Sequence, residues 1–369
     1  MKREFEHDML REIWEQPEVV FGNIVSHLNE DTDEVVFGEF DGKRDELEQI
    51  RRITFLGCGT SYHASLYGNY IFEELAGLPC DFELADEFNW RKTVIEEGTA
   101  FIVVSQSGQT AEAIAAVKKV KTKKSFVIAV TNTEDSSLSR LADVTILNKA
   151  GRERAVAATK TFTSSLILLL LFSLYLRQIA KRRTGRRSTA AYPHSEIMKE
   201  IKLLPAKIAA VLSEEEAIAG MIQEYARSNA FIVLGEKYGF PIALEIALKL
   251  KETSYVQAEG IAAGEFRHGP MALVHDGLPV IYICPEDVHG KSLEFVKEIR
   301  REGGDILIIS DSSASSLKNI ASHMIVVPKT DTILSPFLTV IPGQIMAYYL
   351  SVISGNDPDK PRHLRKFVD

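Results

Sequence analysis

The residues with the clearest capacity for chemistry lie on one predicted helix that begins at Pro241. The helix is apolar almost all round, which predicts burial, yet it carries Glu245, Lys249 and Glu252 at spacings of four and three residues. Those spacings place the three charged groups on one stripe. Unpaired buried charge is costly, so the stripe is either an internal ion pair or an acid–base group tuned by a neighbouring cation. A glycine-punctuated loop ending in RHGP at 267–270 follows and favours chemistry.

Two further stretches, rich in small and hydroxyl residues, follow predicted strands. The strand at 53–57 runs into GCGTS at 57–61, and the strand at 101–105 runs into SQSGQT at 105–110. Such turns present backbone N–H groups and a positive helix end to an anion, but neither spacing matches a P-loop or a dinucleotide fingerprint. Each turn alone is explained by helix capping. Together, at neighbouring strand ends and without lysine, they predict a pocket for a phosphomonoester.

Composition narrows the class of protein. The chain is 45% hydrophobic and 25% charged with a net charge of −8, which disfavours a nucleic-acid partner. Three cysteines, Cys58, Cys80 and Cys284, lie far apart and form no CxxC pair, which argues for reduced thiols and against a metal site. The charged N-terminus lacks a signal-peptide core, and the apolar run at 166–176 is too short to span a bilayer. We therefore expect a soluble cytoplasmic protein with no membrane partner.

The chain also contains an internal repeat. Gly235 lies 178 residues after Gly57, and Val326 lies 180 residues after Ile146, so four strand candidates recur at a nearly constant offset. The first set is 53–57, 101–105, 126–130 and 144–147, and the second set is 231–235, 279–284, 306–310 and 324–327. Strands separated by helical segments predict the α/β class: two tandem domains, each a three-layer α/β/α sandwich around a mostly parallel sheet.

The predicted boundaries follow from this repeat. We expect a helical extension over 1–48, domain 1 over 49–185, domain 2 over 197–353 and a tail over 354–369, with a polar, basic linker at 181–196. The turns of the second domain, at 235–239 and 284–287, carry acids that would repel phosphate. The repeat therefore predicts one phosphate pocket.

Five motifs in order, GCGTSYHAS, SQSGQT, VAATKTF, ALKLKETSYVQAEGIAAGEFRHGP and DKPRHLRK, carry a family resemblance. From about Glu12 to Lys366 the chain resembles the sugar-isomerase (SIS) superfamily. Within it, the chain is similar to the isomerase domain of glucosamine-6-phosphate synthase and to stand-alone glucosamine-6-phosphate deaminases. The resemblance implies that six residues hold the sugar phosphate: Thr60, Ser61, Ser105, Gln106, Ser107 and Thr110. It also implies that Val156 lines the sugar site.

The resemblance also implies the catalytic roles. Glu252 would move a proton between C1 and C2 of the opened sugar, and Lys249 beside it would keep it ionised and assist the transfer between O1 and O2. His268 would open the ring, reaching the sugar from the neighbouring subunit of a homodimer. Lys366 in the tail would form a Schiff base with the ketose. This chemistry requires neither a metal nor a cofactor.

Three hypotheses follow. The leading one is an isomerase and deaminase that interconverts glucosamine 6-phosphate with fructose 6-phosphate plus ammonia, because Lys2 stands where the nucleophilic cysteine of a synthase's glutaminase domain would lie. The first alternative is the isomerase subunit of a glucosamine-6-phosphate synthase that works with a separate glutaminase. The second is a non-catalytic sugar-phosphate sensor, against which the joint presence of Glu252, Lys249, His268 and Lys366 argues.

Overall fold

The computed structural model describes residues 3–184, 193–284, 290–311 and 318–366. By its internal contacts the chain divides into two compact units. Of the described residues, the amino-terminal unit comprises those in 18–153 and 160–202, and the carboxy-terminal unit comprises those in 3–17, 154–159 and 203–366. The predicted turn residues at 285–287, residues 185–192 of the predicted linker and the last three residues of the tail lie outside the described residues.

The amino-terminal unit is built on a five-stranded sheet in which all strand pairs are parallel. Its strands, in the spatial order β2-β1-β3-β4-β5, are β1 (Arg52–Gly57), β2 (Cys80–Leu84), β3 (Thr99–Val104), β4 (Phe126–Thr131) and β5 (Val144–Leu147). The central strand β3 is buried at all six positions. Continuous burial of apolar strands is typical of a parallel sheet covered on both faces.

The carboxy-terminal unit repeats this topology. Its sheet is again fully parallel, in the order β10-β9-β8-β6-β7, with β6 (Ala230–Gly235), β7 (Gln257–Ala262), β8 (Pro279–Cys284), β9 (Asp305–Ser310) and β10 (His323–Val326). Read from β7 to β10, this order is the same as that of the first sheet. The predicted pair of α/β domains is therefore confirmed.

Thirteen α-helices connect and cover these strands within the described residues. In chain order they are α1 (Asp8–Trp14), α2 (Gln16–His27), α3 (Arg44–Gln49), α4 (Thr60–Ile71), α5 (Ala85–Trp90), α6 (Ala111–Lys121), α7 (Ser137–Leu141), α8 (Lys160–Thr184), α9 (His194–Leu212), α10 (Glu215–Ile222), α11 (Gly239–Ser254), α12 (Gly290–Arg301) and α13 (Pro336–Ile353).

Two of these helices are long and apolar enough to cross a membrane by length and composition. They are the segments Lys160–Ala180 and Thr332–Ile353, and 78% and 83% of their apolar windows are buried inside the protein. The predicted apolar run at 166–176 is therefore part of a longer helix, and its length does not exclude a membrane span. Its burial assigns it to the core, because core helices of soluble proteins can also be long and apolar enough to cross a membrane.

Within the carboxy-terminal unit, a buried carboxylate binds residues near the N-terminus of the chain. Glu215 accepts hydrogen bonds from Arg3 at 2.6 Å, from the hydroxyl of Tyr349 at 2.5 Å and from the indole N–H of Trp14. Burial raises the pKa of Glu215, but the three donors outweigh burial and the pKa lies below its ordinary value. The charged carboxylate therefore stabilises the folded state.

Replacing Glu215 by glutamine is expected to lower the free energy of unfolding by about 1.5–3 kcal/mol at pH 7, the range for hydrogen bonds to a charged group. Because the folded pKa is lowered, the wild-type advantage is complete above about pH 5 and is lost as the pH falls through the folded pKa. Urea unfolding at several pH values measures this difference. The exposed neighbour Glu216→Gln is the control, and an equal loss in both variants contradicts the assignment.

Candidate active site

The turn between β1 and α4 brings the chain sharply back onto its own helix. A side chain at Gly57 would place its Cβ 2.6 Å from the main-chain carbon of Ser61, so only glycine fits there. Gly59, at φ 53°, is the N-cap of α4, and Thr60 and Ser61 form its first turn. Both hydroxyl residues are partly exposed. The turn therefore presents the N-terminus of a twelve-residue helix together with two hydroxyl groups.

The turn between β3 and α6 is stabilised by hydrogen bonds of its own hydroxyl groups. The Ser105 hydroxyl lies 2.9 Å from that of Thr110 and accepts a hydrogen bond from the backbone N–H of Gly108 at 3.2 Å. The Ser107 hydroxyl accepts from the N–H of Gln109 at 3.1 Å, and the carbonyl of Gln106 accepts from Asn132 at 3.0 Å. Within the described residues Thr110, the N-cap of α6, makes no side-chain capping bond. The capping explanation therefore does not account for Thr110.

Sheet order brings these two turns to one edge. β1 and β3 are hydrogen-bonded neighbours, with Leu56 paired to Val103 one residue before the end of each strand. They meet where the strand order reverses, which is the usual ligand-binding position in an open α/β sheet. The predicted neighbourhood of the two turns is therefore present. The role of these residues in holding phosphate remains a prediction.

The charged stripe on α11 is buried as predicted, although the helix begins two residues before Pro241. Lys249 is 1% exposed, and its Nζ lies 2.5 Å from Oε2 of Glu252 and 3.4 Å from Oε1 of Glu245. Glu245 is fully buried, whereas the side chain of Glu252 is 21% exposed. One ammonium thus bridges two carboxylates, of which Glu252 alone reaches solvent. This geometry gives Glu245 the structural role and leaves Glu252 accessible to a substrate.

The two carboxylates determine the charge state of Lys249. Burial by itself lowers the pKa of Lys249, but Glu245 and Glu252 outweigh it and the pKa lies above its ordinary value. Lys249 is therefore a permanent cation at neutral pH. A fixed cation beside Glu252 can stabilise negative charge that develops on a substrate oxygen.

Close packing holds α11 in place from two sides. A Cβ at Gly260 on β7 would lie 2.6 Å from the carbonyl oxygen of Ala243, and a Cβ at Gly343 on α13 would lie 2.2 Å from Ile246. The C-terminal end of α11 is tied to α13 by hydrogen bonds from the hydroxyls of Thr253 and Ser254 to the carbonyl of Ala347, both 3.1 Å. Rigid support of this kind keeps the Lys249–Glu252 pair in one geometry.

His268 lies at the end of the 3₁₀ helix Ala263–His268, which follows β7, and it is exposed. Within the described part of the chain no hydrogen bond or ion pair joins its ring to Lys249 or Glu252. The role of His268 in ring opening remains a prediction.

The tail and the segment around Val156 come together in the carboxy-terminal unit. The ammonium of Lys366 donates to the carbonyl of Ala155 at 2.5 Å, and the N–H of Val156 donates to the carbonyl of Asp359 at 3.1 Å. Asp359 in turn accepts from the first-turn N–H groups of α1. These tail contacts were not predicted, because no motif spacing in the sequence relates the N-terminal helix to residue 154 or to the tail.

The corresponding strand ends of the second sheet differ in chemistry. They border a cavity of 240 Å³ whose lining includes Glu236, Cys284 and Asp311. The Tyr282 hydroxyl donates to Glu236 at 2.8 Å. Burial, with a smaller contribution from Glu236 and Asp311, raises the pKa of Cys284 to about 12. Burial likewise raises the pKa of Cys58 in the first turn. Neither thiol is therefore set up as a nucleophile. In the described residues no group of three or more His, Cys, Asp or Glu side chains could hold a metal ion.

Comparison with known families decides the classification. A model of the SIS domain matches residues 46–175 and 224–354, one match in each sheet-containing half of the chain. This chain belongs to the SIS domain family. The predicted family is thus confirmed, and so is the class of enzyme, a sugar isomerase of the SIS type.

Two curated relatives that match the whole chain are named glutamine–fructose-6-phosphate aminotransferase (isomerizing). The protein from Methanosarcina acetivorans is 36% identical over 368 residues and that from Pseudomonas aeruginosa 37% identical over 371 residues, in both cases across 100% of this chain. The chain spans 59% of the length of each relative.

Solved structures show the same fold. The C-terminal domain of glucosamine-fructose-6-phosphate aminotransferase from Francisella tularensis matches 97% of this chain and 98% of its own, with a TM-score of 0.87 and 31% identity. Glucosamine-6-phosphate deaminase from Thermotoga maritima matches with a TM-score of 0.72 at 24% identity, a likeness of fold alone.

Proposed function

We propose that the chain is the isomerase part of a glutamine–fructose-6-phosphate aminotransferase, which converts fructose 6-phosphate and ammonia into glucosamine 6-phosphate and water. The observation that carries the proposal is the 36–37% identity to aminotransferases so named over the whole chain. It favours synthesis over the deamination that the sequence alone placed first.

The geometry of the α11 pair supports the central step. Condensation of the ketone of fructose 6-phosphate with the amine of Lys366 would release water, and ammonia would then displace that amine to leave an imine at C2. Glu252, partly exposed beside a buried cation, would take a proton from C1 and return it to C2. Lys249 would stabilise the enolamine formed between these two transfers.

The phosphate group would be held by the β1–α4 and β3–α6 turns. Replacing Gly57 by alanine is expected to raise KM for fructose 6-phosphate by about tenfold, because the new methyl group would displace the first turn of α4. The control is Gly38→Ala, at a position with open space around it. Steady-state kinetics on both variants test the point, and an unchanged KM in Gly57→Ala would remove this turn from the proposed phosphate site.

The exposed His268 supports a homodimer in which each ring-opening histidine acts on the partner's sugar. The ammonia would come from a glutaminase, because the relatives use glutamine by name and are longer than this chain. We place the reaction in the cytoplasm, which fits three free cysteines.

Product formation tests the proposal. Purified protein is given fructose 6-phosphate with ammonium chloride or with glutamine, and glucosamine 6-phosphate is measured by mass spectrometry. We expect product with ammonium and none with glutamine alone. Ammonia release from glucosamine 6-phosphate that is much faster than amination would instead make the chain a deaminase. Binding of the sugar phosphate without turnover would make it a sensor.

A further inference from the structure

The segment at 154–156 is held in an unusual way, by a buried carboxylate from the N-terminal helix. Glu12 on α1 is fully buried, and its two oxygens accept hydrogen bonds from the backbone N–H groups of Arg154 and, at 3.3 Å, Ala155. A fully buried carboxylate is costly unless hydrogen bonds and a counter-charge compensate it. Here the counter-charge is Arg11, 3.7 Å away.

The same segment contacts the tail on its other side. The carbonyl of Ala155 accepts the ammonium of Lys366, and the N–H of Val156 donates to the carbonyl of Asp359. Two residues proposed to meet the sugar are therefore tied to the stretch that Glu12 holds, because Val156 lies in it and Lys366 is hydrogen-bonded to it.

Asp359 closes the connection back to the N-terminal helix. Its carboxylate oxygens accept from the backbone N–H groups of Asp8 at 2.8 Å and Met9 at 2.7 Å, at the start of α1. Negative charge at a helix N-terminus satisfies otherwise unpaired N–H groups and interacts favourably with the helix dipole. Helix α1, the segment 154–156 and the tail thus form a closed ring of hydrogen bonds in which Glu12 and Asp359 are the two carboxylate links.

We propose that Glu12 is a positioning residue, which fixes the main chain of 154–156 and through it the amine of Lys366 for attack on the ketose. The inference rests on the proposed function, since it gives Lys366 a ketose to attack. Glu12 accepts from the backbone N–H groups of this segment, and Lys366 donates to a carbonyl of the same segment. Because Glu12 acts through the carbonyl of Ala155, its loss is expected to misplace the reacting amine without removing it, and a misplacement of about 1 Å costs on the order of 100-fold in rate.

Reductive trapping measures the position of this amine directly. Fructose 6-phosphate is added with sodium borohydride, which reduces a Schiff base on Lys366 to a stable secondary amine that peptide mass spectrometry locates. In Glu12→Gln we expect both the trapping rate and kcat to fall by about 10- to 100-fold, with a much smaller change in KM. The control is Glu15→Gln, which removes a partly exposed carboxylate of the same helix that pairs with Arg11. We expect its trapping rate to stay within about twofold of wild type.

A second variant and a folding measurement separate mispositioning of the amine from loss of the fold. Asp359→Asn weakens the other carboxylate link and leaves Glu12 in place, and it is expected to slow trapping in the same way. Cooperative urea unfolding establishes that each variant is folded. A folded Glu12→Gln protein that traps the ketose at the wild-type rate overturns the positioning role. A wild-type protein that is never labelled on Lys366 overturns instead the Schiff-base step of the proposed function.

Discussion

Glu252→Gln is expected to lower kcat for the aldose–ketose step by about 10²- to 10⁴-fold, the usual contribution of a positioned general acid–base group. Glutamine keeps the shape of the side chain but cannot accept a proton from C1. The free energy of unfolding should change little, because Lys249 keeps Glu245 as a buried counter-charge and Glu252 is partly exposed.

Kinetics with ammonium as the nitrogen donor measure this loss. The matched control is Glu259→Gln, which makes the same chemical change at an exposed position on β7. We expect the control to retain wild-type kcat. A Glu252→Gln protein with undiminished kcat would assign the proton transfer to another group and leave the buried stripe as an internal ion pair.

The second large effect is on stability. Replacing Lys249 by methionine removes the only cation of the stripe and leaves Glu245 fully buried beside Glu252. Breaking a buried pair in this way costs about 3–5 kcal/mol of unfolding free energy. The exposed neighbour Lys251→Met is the control, with an expected change within about 0.5 kcal/mol.

The pH dependence separates this mechanism from loss of packing. In Lys249→Met the fully buried carboxylate of Glu245 loses this counter-charge and is expected to bind a proton more readily in the folded state than in the unfolded state, so the stability deficit shrinks as the pH falls from 8 to 5. In wild type the pKa of Lys249 is raised, so its contribution to the free energy of unfolding is present at neutral pH and is lost only well above pH 10.4. Urea unfolding across this range tests both statements. A deficit that does not depend on pH contradicts the charge argument.

Much of the architecture is predictable because it leaves periodic signals in the sequence. Eight of the ten strands are apolar runs, and their constant offset identifies the repeat without any structure. The two strands that were not predicted, β2 and β7, are both edge strands of their sheets. β7 reads QAEGIA, with exposed and buried positions mixed, so it resembles a glycine-containing loop. Its identity as a strand depends on pairing with β6, which is information about tertiary structure.

The candidate site is likewise predictable from the sequence only in part. Lys249 and Glu252 are identifiable because helical spacing alone places them side by side. The two hydroxyl-rich turns are identifiable because each follows an apolar strand, and their neighbourhood follows from sheet order. The roles of Glu12 and Asp359 are not, since each acts on backbone groups more than a hundred residues away in the chain. Backbone donors carry no residue-type signal, so only the folded chain reveals such contacts.

The most direct test of the central claim follows proton transfer on a hexose 6-phosphate. The protein is incubated with fructose 6-phosphate and ammonium chloride in D₂O, and NMR spectroscopy follows the C1 protons. We predict that deuterium enters C1 with wild-type protein and with Glu259→Gln, and does not enter with Glu252→Gln. Wild-type protein that binds fructose 6-phosphate yet leaves C1 fully protonated would contradict the assignment of this chain as the isomerase.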